Sequence, residues 1–467
     1  MSTVRFNRLS VRKPYVVLAL IETLAMMSCL FVGIIYSNSS YSAGFFDHFL
    51  CLECLTFVMV VFVCMAAMGL YHARLRGEPT ELLARIFFSF VLATIAQALL
   101  FYFVPYLNIE PKAIGLALLL SFFIVCGLRY LFIRIDQTSL LKKRILVLGA
   151  GESASIIHNK MRRDCDRRGF RIMGYVGMDD NTTTIADRHL VSVDLDKLDE
   201  YTSRYQIDEI VVAADQRRGR LPMDALYRCR LAGVNIIELA TFVERESGKI
   251  PLKMMYPSWV IYGDGYRKTG YLSRGVKRLF DMLVALAFLF VTWPVMLITA
   301  LLIKLEGGPN SSVLYHQIRV GRDSEPFKIY KFRSMREDAE KSGVVWAMQN
   351  DNRVTAVGAF IRKYRIDELP QLFNILRGDM SFIGPRPERP EFVEGLSKSI
   401  PYYGDRHQVK PGLTGWAQIC YSYGSSEEDA LEKLQYDLYY IKNYTLLLDT
   451  IILIQTCEVV FFGKGAR

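Results

Sequence analysis

Charged side chains are scarce in this 467-residue chain: Asp, Glu, Lys and Arg supply 22%, against 51% apolar residues, and the mean hydropathy is +0.19. Wholly soluble or disordered chains of this length do not combine those values, so two or three folding units are expected, at least one of them lipid-embedded. Histidine is scarcer still. The six residues His48, His72, His158, His189, His316 and His407 show no ligand spacing. Nine cysteines form no disulfide framework: Cys29, Cys51, Cys54, Cys64 and Cys126 lie in apolar runs and act as small hydrophobes, as in a reducing compartment. Cys51 and Cys54 make a lone CxxC with no second pair, which argues against zinc or redox use. No Lys has a Tyr four residues before it, so the Tyr-x-x-x-Lys pair of the membrane-anchored nucleotide-sugar dehydratases is missing. No nucleic-acid motif is present, and no nucleic-acid partner is expected. Positive charge is in excess, 57 Lys and Arg against 47 Asp and Glu, which calls for anionic lipid or an anionic substrate.

Four apolar runs, about 15–36, 49–71, 86–107 and 113–135, are long enough to cross roughly 30 Å of hydrocarbon. The first is too long and too weakly flanked by small residues for a cleaved signal. Cations alternate along the connections. Arg5, Arg8, Arg12 and Lys13 precede the first run, 37–48 has none, Arg74, Arg76 and Arg85 follow the second, and Lys142, Lys143 and Arg144 follow the fourth. Both ends of the bundle, and everything after about residue 140, are therefore expected on the cytoplasmic side. A fifth run, 282–303, carries no charge but has cations on both flanks and Pro294 at its middle. Proline removes a helical hydrogen bond and clashes with the preceding turn, so the run is expected to break there and turn back within one leaflet.

After the bundle, 144–154 reads as a buried strand, a Gly-rich turn and a helix start, and later apolar runs alternate with polar helical segments. A parallel, doubly wound Rossmann-like domain is expected. Its GxGxxA turn, Gly149, Gly151 and Ala154, either holds a phosphate on amides at the helix start or belongs to a structural or dimerising fold. Asp179 and Asp180 come later than a ribose-binding acid should.

The C-terminal part carries the chemistry. Lys277, Arg278 and Asp281 precede the broken helix and place two cations at the headgroup level, Lys331 and Arg333 follow a predicted strand, and Arg353 opens the next segment. Then come Arg362, the adjacent Asp367 and Glu368, Pro370, Gly378, and Pro385-Arg386-Pro387. Asp367 reads as the N-cap of a helix with Pro370 in its first turn and Gly378 at its end. Adjacent carboxylates ringed by Arg suit a carboxylate nucleophile or a metal-bound phosphate site, Mg²⁺ being the hard cation that takes carboxylate and phosphate oxygens; on the pair alone, a capped surface helix with incidental salt bridges is the favoured reading.

The full string, from Lys277 to the C-terminus, closely resembles the monotopic phosphoglycosyl transferases, bacterial sugar transferases that start exopolysaccharide or O-antigen repeat units on a lipid carrier. The specific parts are Asp367-Glu368-Leu369-Pro370-Gln371-Leu372, the stretch Gly378 to Glu388, and the stretch Val409 to Ile419. Four spans plus a Rossmann-like domain look like the family's large form. The resemblance implies that Asp367 is the nucleophile attacking the sugar-bearing phosphorus of a UDP-sugar, and that UMP leaves and undecaprenyl phosphate then displaces Asp367. It implies that Glu368 holds Mg²⁺, alone or with Asp367, or assists the second step, that Arg362 binds phosphate, and that Pro385, Arg386 and Pro387 border the nucleotide. Lys277, Arg278, Lys331, Arg333 and Arg353 are further candidate contacts to substrate phosphates. The chain departs from the family in having Trp293 before the helix-breaking Pro294, where many members have Ser, and Ser324-Glu325 in place of a glycine-bearing turn.

The expected architecture is an α-helical bundle of four spans over 1–138, a Rossmann-like α/β domain over 139–265, and an α-rich monotopic catalytic domain over 266–467 with its re-entrant helix at 276–304. It is expected in the bacterial cytoplasmic (inner) membrane with the catalytic domain in the cytosol, as a homodimer, acting on a UDP-sugar, undecaprenyl phosphate and membrane lipid. The alternatives are a membrane-anchored dehydratase and a non-catalytic scaffold for polysaccharide assembly. The final apolar run, 446–462, is interrupted by Asp449 and Glu458 and is expected to lie at the interface or pack on the core.

Overall fold

The computed structural model describes residues 3–6, 9–37, 52–71, 79–107, 109–137, 142–160, 169–178, 184–186, 189–215, 221–255, 271–308, 311–336, 353–421, 424 and 426–461. Cys51, Asp179, Asp180 and the expected boundary at 265 lie outside them. The chain divides into two compact units, 1–247 and 248–467. The division falls at 248 because the next residues are held by the second unit: Ile250 N–H donates to Gln435 O (3.0 Å), Trp416 Nε1 donates to Gly248 O (2.8 Å) and Lys249 pairs with Glu432.

The first unit opens with a hairpin, β1 (Thr3–Phe6) and β2 (Leu9–Arg12), followed by four helices, α1 (Lys13–Ser37), α2 (Leu52–Ala67), α3 (Pro79–Phe103) and α4 (Pro111–Gln137). Three of the expected spans are long and apolar enough to cross a membrane, but the second, α2, has 16 described residues. That is about 24 Å of helix, less than the hydrocarbon thickness. Its C-terminal end is held by protein. The free carbonyls of Met68 and Leu70 receive hydrogen bonds from Arg85 (2.8 Å) and Arg129 (2.6 Å), so the helix stops inside the bundle with its end satisfied by protein. Arg129 is itself paired with the fully buried Glu22 of α1 (2.8 Å), to which Tyr71 also donates (2.6 Å). Helices α1 and α4 approach so closely at Gly33 that a Cβ there would lie 2.4 Å from Ala113 O.

The rest of this unit is a five-stranded, all-parallel sheet. Its strands are β3 (Lys143–Leu148), β4 (Phe170–Val176), β5 (Leu190–Val191), β6 (Glu209–Val212) and β7 (Asn235–Glu238), in the order β5-β4-β3-β6-β7. Both faces are covered, which is why β3 reads as an unbroken apolar run rather than an alternating one. Leu146 and Leu148 pack with Leu198, Leu226 and Cys229 from helices α6 (Leu198–Arg204) and α7 (Met223–Leu231). Ile145 and Val147, on the opposite face by strand alternation, are equally buried. Helices α5 (Glu152–Lys160) and α8 (Leu239–Ser247) complete the unit, with Phe170 and Phe242 in edge contact at 5.0 Å.

The second unit begins with α9 (Tyr271–Gly307), 37 residues of helical backbone that continue through Pro294 without a non-helical gap. Its outward side is bare apolar surface, including Leu283, Phe290, Val291, Leu297 and Leu301. Both of its ends touch the same small core. Near the start, Arg278 donates to Ile375 O and Leu376 O, and Phe288 meets Phe382 (5.1 Å). Near the end, Ile303 packs with Phe332 and Ile361 in a cluster flanked by Ile366 and Leu369.

That core holds an antiparallel hairpin, β8 (Leu314–Val320) with β9 (Pro326–Phe332), and a parallel pair, β10 (Ser381–Ile383) with β11 (Gly412–Thr414). Around them lie α10 (Ala356–Lys363), α11 (Gln371–Arg377), α12 (Pro390–Ser399), α13 (Trp416–Cys420), α14 (Glu427–Lys442) and α15 (Leu446–Phe461). The last apolar run is packed on the core: Leu448, Asp449 and Ile452 are fully buried, and Thr456 meets Thr414 (2.8 Å).

Candidate active site

The chain enters the acidic pair through a strained turn. Helix α10 is capped twice at its start, by Thr355 Oγ1 on Gly358 N–H (2.9 Å) and by the Glu306 carboxylate on Ala356 N–H (2.9 Å). It ends at Tyr364, and Arg365 adopts a left-handed conformation (φ +56°) that only a firmly held non-glycine residue keeps. Ile366–Glu368 then form one 3-10 turn, and α11 follows with Pro370 at its N-cap and Gly378 (φ +101°) at its C-cap. The expectation that Asp367 caps this helix is corrected. An N-cap side chain accepts from the amide two or three residues on; Pro370 has none and Leu369 N–H donates to Ile366 O (3.1 Å), so the pair sits in the 3-10 turn ahead of α11 with its backbone already helical.

Both carboxylates are buried, Asp367 at 7% and Glu368 at 6% exposure. Glu368 Oε1 accepts from Lys331 Nζ (3.1 Å) and Arg386 (2.6 Å), and Arg365 lies 3.7 Å from its Oε2. Burial works against its charge, but Arg386 and Lys331 outweigh it and hold the Glu368 carboxyl well below the usual range. Asp367 goes the other way: burial first, then the Glu368 charge, raise its carboxyl, opposed by Lys331, Arg362 and Arg386. The two neighbours thus have opposite tendencies. One is a fixed anion locked among cations; the other is a carboxylate with no ion-pair partner at contact distance among the described residues.

The sequence-predicted residues separate into two groups. Lys331, Arg362 and Arg386 converge on Asp367 and Glu368, with the Pro385 and Pro387 carbonyls of the same segment bonded by Gly412 N–H (2.9 Å) and Arg319 (3.2 Å). Lys277 instead sits between Asp281 and Asp449, 2.9 Å from each, and Arg278 caps the C-terminal carbonyls of α11. Arg333 donates to Ser312 Oγ, and the Arg353 carbonyl accepts from Arg336 N–H (3.0 Å). Arg365 was not singled out from the sequence, although its spacing of three from Glu368 is the helical pair signal that would have found it.

Among the described residues no three His, Cys, Asp or Glu side chains are grouped to hold a metal ion. The pair fits Mg²⁺ in one form only, an ion carried on a pyrophosphate that needs one or two protein carboxylates and fills its other positions with phosphate and water.

In the first unit, Gly149 forms the tight turn after β3. Its φ is +123°, and a Cβ would lie 2.5 Å from Ala213 O, so glycine is required there by packing alone. The amides at the start of α5, Glu152 and Ser153, which follow Gly151, donate to the Asp215 carboxylate at 2.8 and 2.9 Å. An internal carboxylate therefore takes two of the helix-start amides of this turn.

Residues 272–463 match the model of the bacterial sugar transferase family. A UDP-N-acetylgalactosamine-undecaprenyl-phosphate N-acetylgalactosaminephosphotransferase from Aeromonas hydrophila is 41% identical over 277 residues, 58% of this chain and 63% of that protein. A UDP-glucose:undecaprenyl-phosphate glucose-1-phosphate transferase from Escherichia coli (strain K12) is 42% identical over 200 residues, 42% of each chain. The exopolysaccharide production protein PSS of Rhizobium leguminosarum bv. phaseoli is 40% identical over 198 residues, 41% of this chain and 98% of its own length. Thus the match spans less than two thirds of the first two relatives and nearly all of the third, and the family model covers the segment that holds Asp367 and Glu368. This chain belongs to the bacterial sugar transferase family.

Proposed function

We propose that this protein transfers a sugar 1-phosphate from a UDP-sugar to undecaprenyl phosphate in the bacterial cytoplasmic membrane, with the catalytic unit in the cytosol, starting a polysaccharide repeat unit. In the first step an Asp367 carboxylate oxygen attacks the sugar-bearing phosphorus and the bond to the UMP oxygen breaks, leaving a phosphosugar on Asp367. In the second, a phosphate oxygen of undecaprenyl phosphate attacks that phosphorus, the bond to Asp367 breaks, and the carboxylate is restored. The product is a lipid pyrophosphate sugar. The observation that carries this reading is the asymmetry of the buried pair: Glu368 is held by Lys331 and Arg386, which leaves Asp367 as the carboxylate available for attack. Phosphoryl transfer is mostly positioning plus charge neutralisation, and Lys331, Arg362 and Arg386 supply cations around the attacking oxygen. Mg²⁺, when bound, would neutralise pyrophosphate charge, and Asp367 and Glu368 are the residues that would hold it.

The relatives' names specify different sugars, so the test is a panel. Purified protein with undecaprenyl phosphate, Mg²⁺ and each of several UDP-sugars should release UMP with at least one donor. Release of water and a keto-sugar instead would favour the dehydratase reading, against which the Asp215 carboxylate at the Gly-rich turn already speaks. The order β5-β4-β3-β6-β7, with the first strand central, supports a Rossmann-like reading of that sheet without a bound dinucleotide.

The same proposal has α9 enter the membrane and return. Arg278 and Ile303 are 25 residues apart, about 38 Å along a straight helix. Arg278 donates to Ile375 O while Ile303 packs with Phe332 and Ile361 of the same core, and Pro294, where a helix can bend, lies between them. In a cysteine-free background, Leu272→Cys and Leu305→Cys should both resist an impermeant thiol reagent in spheroplasts and both react in inside-out vesicles. Labelling of the two from opposite sides would rule out the return.

A further inference from the structure

Resting on that functional reading, we propose that Arg406, braced by Asp437, is a positioning residue that holds Arg386 against Glu368 by its backbone rather than by touching substrate. The reason begins with Pro385-Arg386-Pro387. Both prolines lack an N–H, and a residue before proline is confined to extended backbone, so of these three residues only Arg386 has an amide to offer a ladder. The segment is therefore fixed mainly through its carbonyls.

Each of the three carbonyls has a donor. Pro385 O accepts from Gly412 N–H (2.9 Å), Arg386 O from Arg406 (2.9 Å) and Pro387 O from Arg319 (3.2 Å). The middle one bears directly on the site, because the side chain of the same residue donates to Glu368 at 2.6 Å. The Arg406 nitrogen that holds Arg386 O also meets Asp437 Oδ2 at 2.9 Å, while the other terminal nitrogen donates to Tyr403 Oη at 2.7 Å. The guanidinium is thereby fixed on both arms. Arg406 and Asp437 are 6% and 2% exposed.

Stability alone does not explain a buried pair of this kind. Taking two charges out of water costs about as much as their attraction returns, and apolar replacements of similar volume are often neutral or better. Burial pushes the Asp437 carboxyl up to about 6 despite Arg406, a sign of that cost. The backbone that presents Arg406 is strained as well: Tyr402, just before its 3-10 helix Tyr403–Gln408, has φ +64°. What the arrangement delivers is a rigid charged donor on the one carbonyl whose residue carries the cation of Glu368. Partners of a reacting group's partner typically change rates without contacting the substrate.

The test is a double-mutant cycle on the full-length protein, reading UMP release from radiolabelled donor so that strongly impaired enzymes remain measurable. Arg406→Gln should lower kcat/KM by between about 10- and 100-fold in the wild-type background. In an Arg386→Ala background it should lower it less than about threefold, since there is no longer a side chain to position. A residue needed only for folding depresses both backgrounds equally, and that result, or no loss in the wild type, overturns the proposal. Should Arg406→Gln not fold, Asp437→Asn keeps the shape and should show the same background dependence with a smaller loss. A wild type that releases no UMP from any donor takes the functional reading down with it; an active wild type with an additive cycle removes only the positioning role.

Discussion

Asp367→Asn leaves UMP release at least about 10³-fold below wild type, the scale of loss when a covalent nucleophile is removed. Asn has the shape of Asp, so the packing at this buried position survives and the loss reports chemistry. Glu368 cannot take over, because its oxygens are held by Lys331, Arg386 and Arg365 and its charge is already spent on them. The same geometry fixes the sign of a pH effect. Burial and the Glu368 charge raise the Asp367 carboxyl, and attack requires its ionised form, so kcat/KM falls on the acid side with a midpoint above the ordinary Asp value of about 3.9. In Glu368→Gln the repelling charge is gone and Lys331 and Arg386 are left to face Asp367, so whatever activity remains has its acid midpoint moved down. Rates measured for both variants across pH check this. An Asp367→Asn enzyme with wild-type turnover would sink the nucleophile assignment.

The long motifs were legible because they are local: a strand, a Gly-rich turn and a helix start, or an acidic pair followed by proline and a helix-ending glycine, lie within a dozen residues. The order β5-β4-β3-β6-β7 was not written anywhere, but alternation of buried strands with helices restricts the sheet to a parallel one. What could not be read was whatever is decided by a partner far along the chain. The apolar run of the second span carried no sign that Arg129, 59 residues beyond Leu70, would take the Leu70 carbonyl just past the end of α2. The Gly149 turn left a phosphate site and a structural role both open, and only the fold shows that Asp215, more than 60 residues on, binds the amides of Glu152 and Ser153. Lys277 and Arg278 looked like two equivalent headgroup cations, since neighbouring charges at a helix start carry no sign of which will be buried. Only the spacing of four between Lys277 and Asp281 hinted that one of them had an internal partner.

That distinction makes Lys277→Met the other large expected effect, and on stability rather than on substrate affinity. Lys277 Nζ lies 2.9 Å from Asp281 Oδ1 and 2.9 Å from Asp449 Oδ2, with the three side chains 10%, 4% and 0% exposed. Tyr440 donates to the other Asp449 oxygen (2.7 Å), while Asp281 accepts from Ser381 Oγ and Phe382 N–H, both at 3.1 Å. The cluster thus ties the start of α9 to β10, the strand that leads into Pro385-Arg386-Pro387, and to α15. Methionine keeps the volume, so no cavity is created; what is lost is the one cation between two buried carboxylates, a break that costs about 3 to 5 kcal/mol. Thermal unfolding of the purified protein in detergent should show it as a large fall in Tm. Adding Asp449→Asn to Lys277→Met should recover part of the loss, because one of the two stranded charges is removed, whereas Asp449→Asn alone should cost less than Lys277→Met. A Lys277→Met protein with wild-type Tm and a raised KM for the lipid substrate would show the opposite, that this ammonium serves phosphate and not the fold.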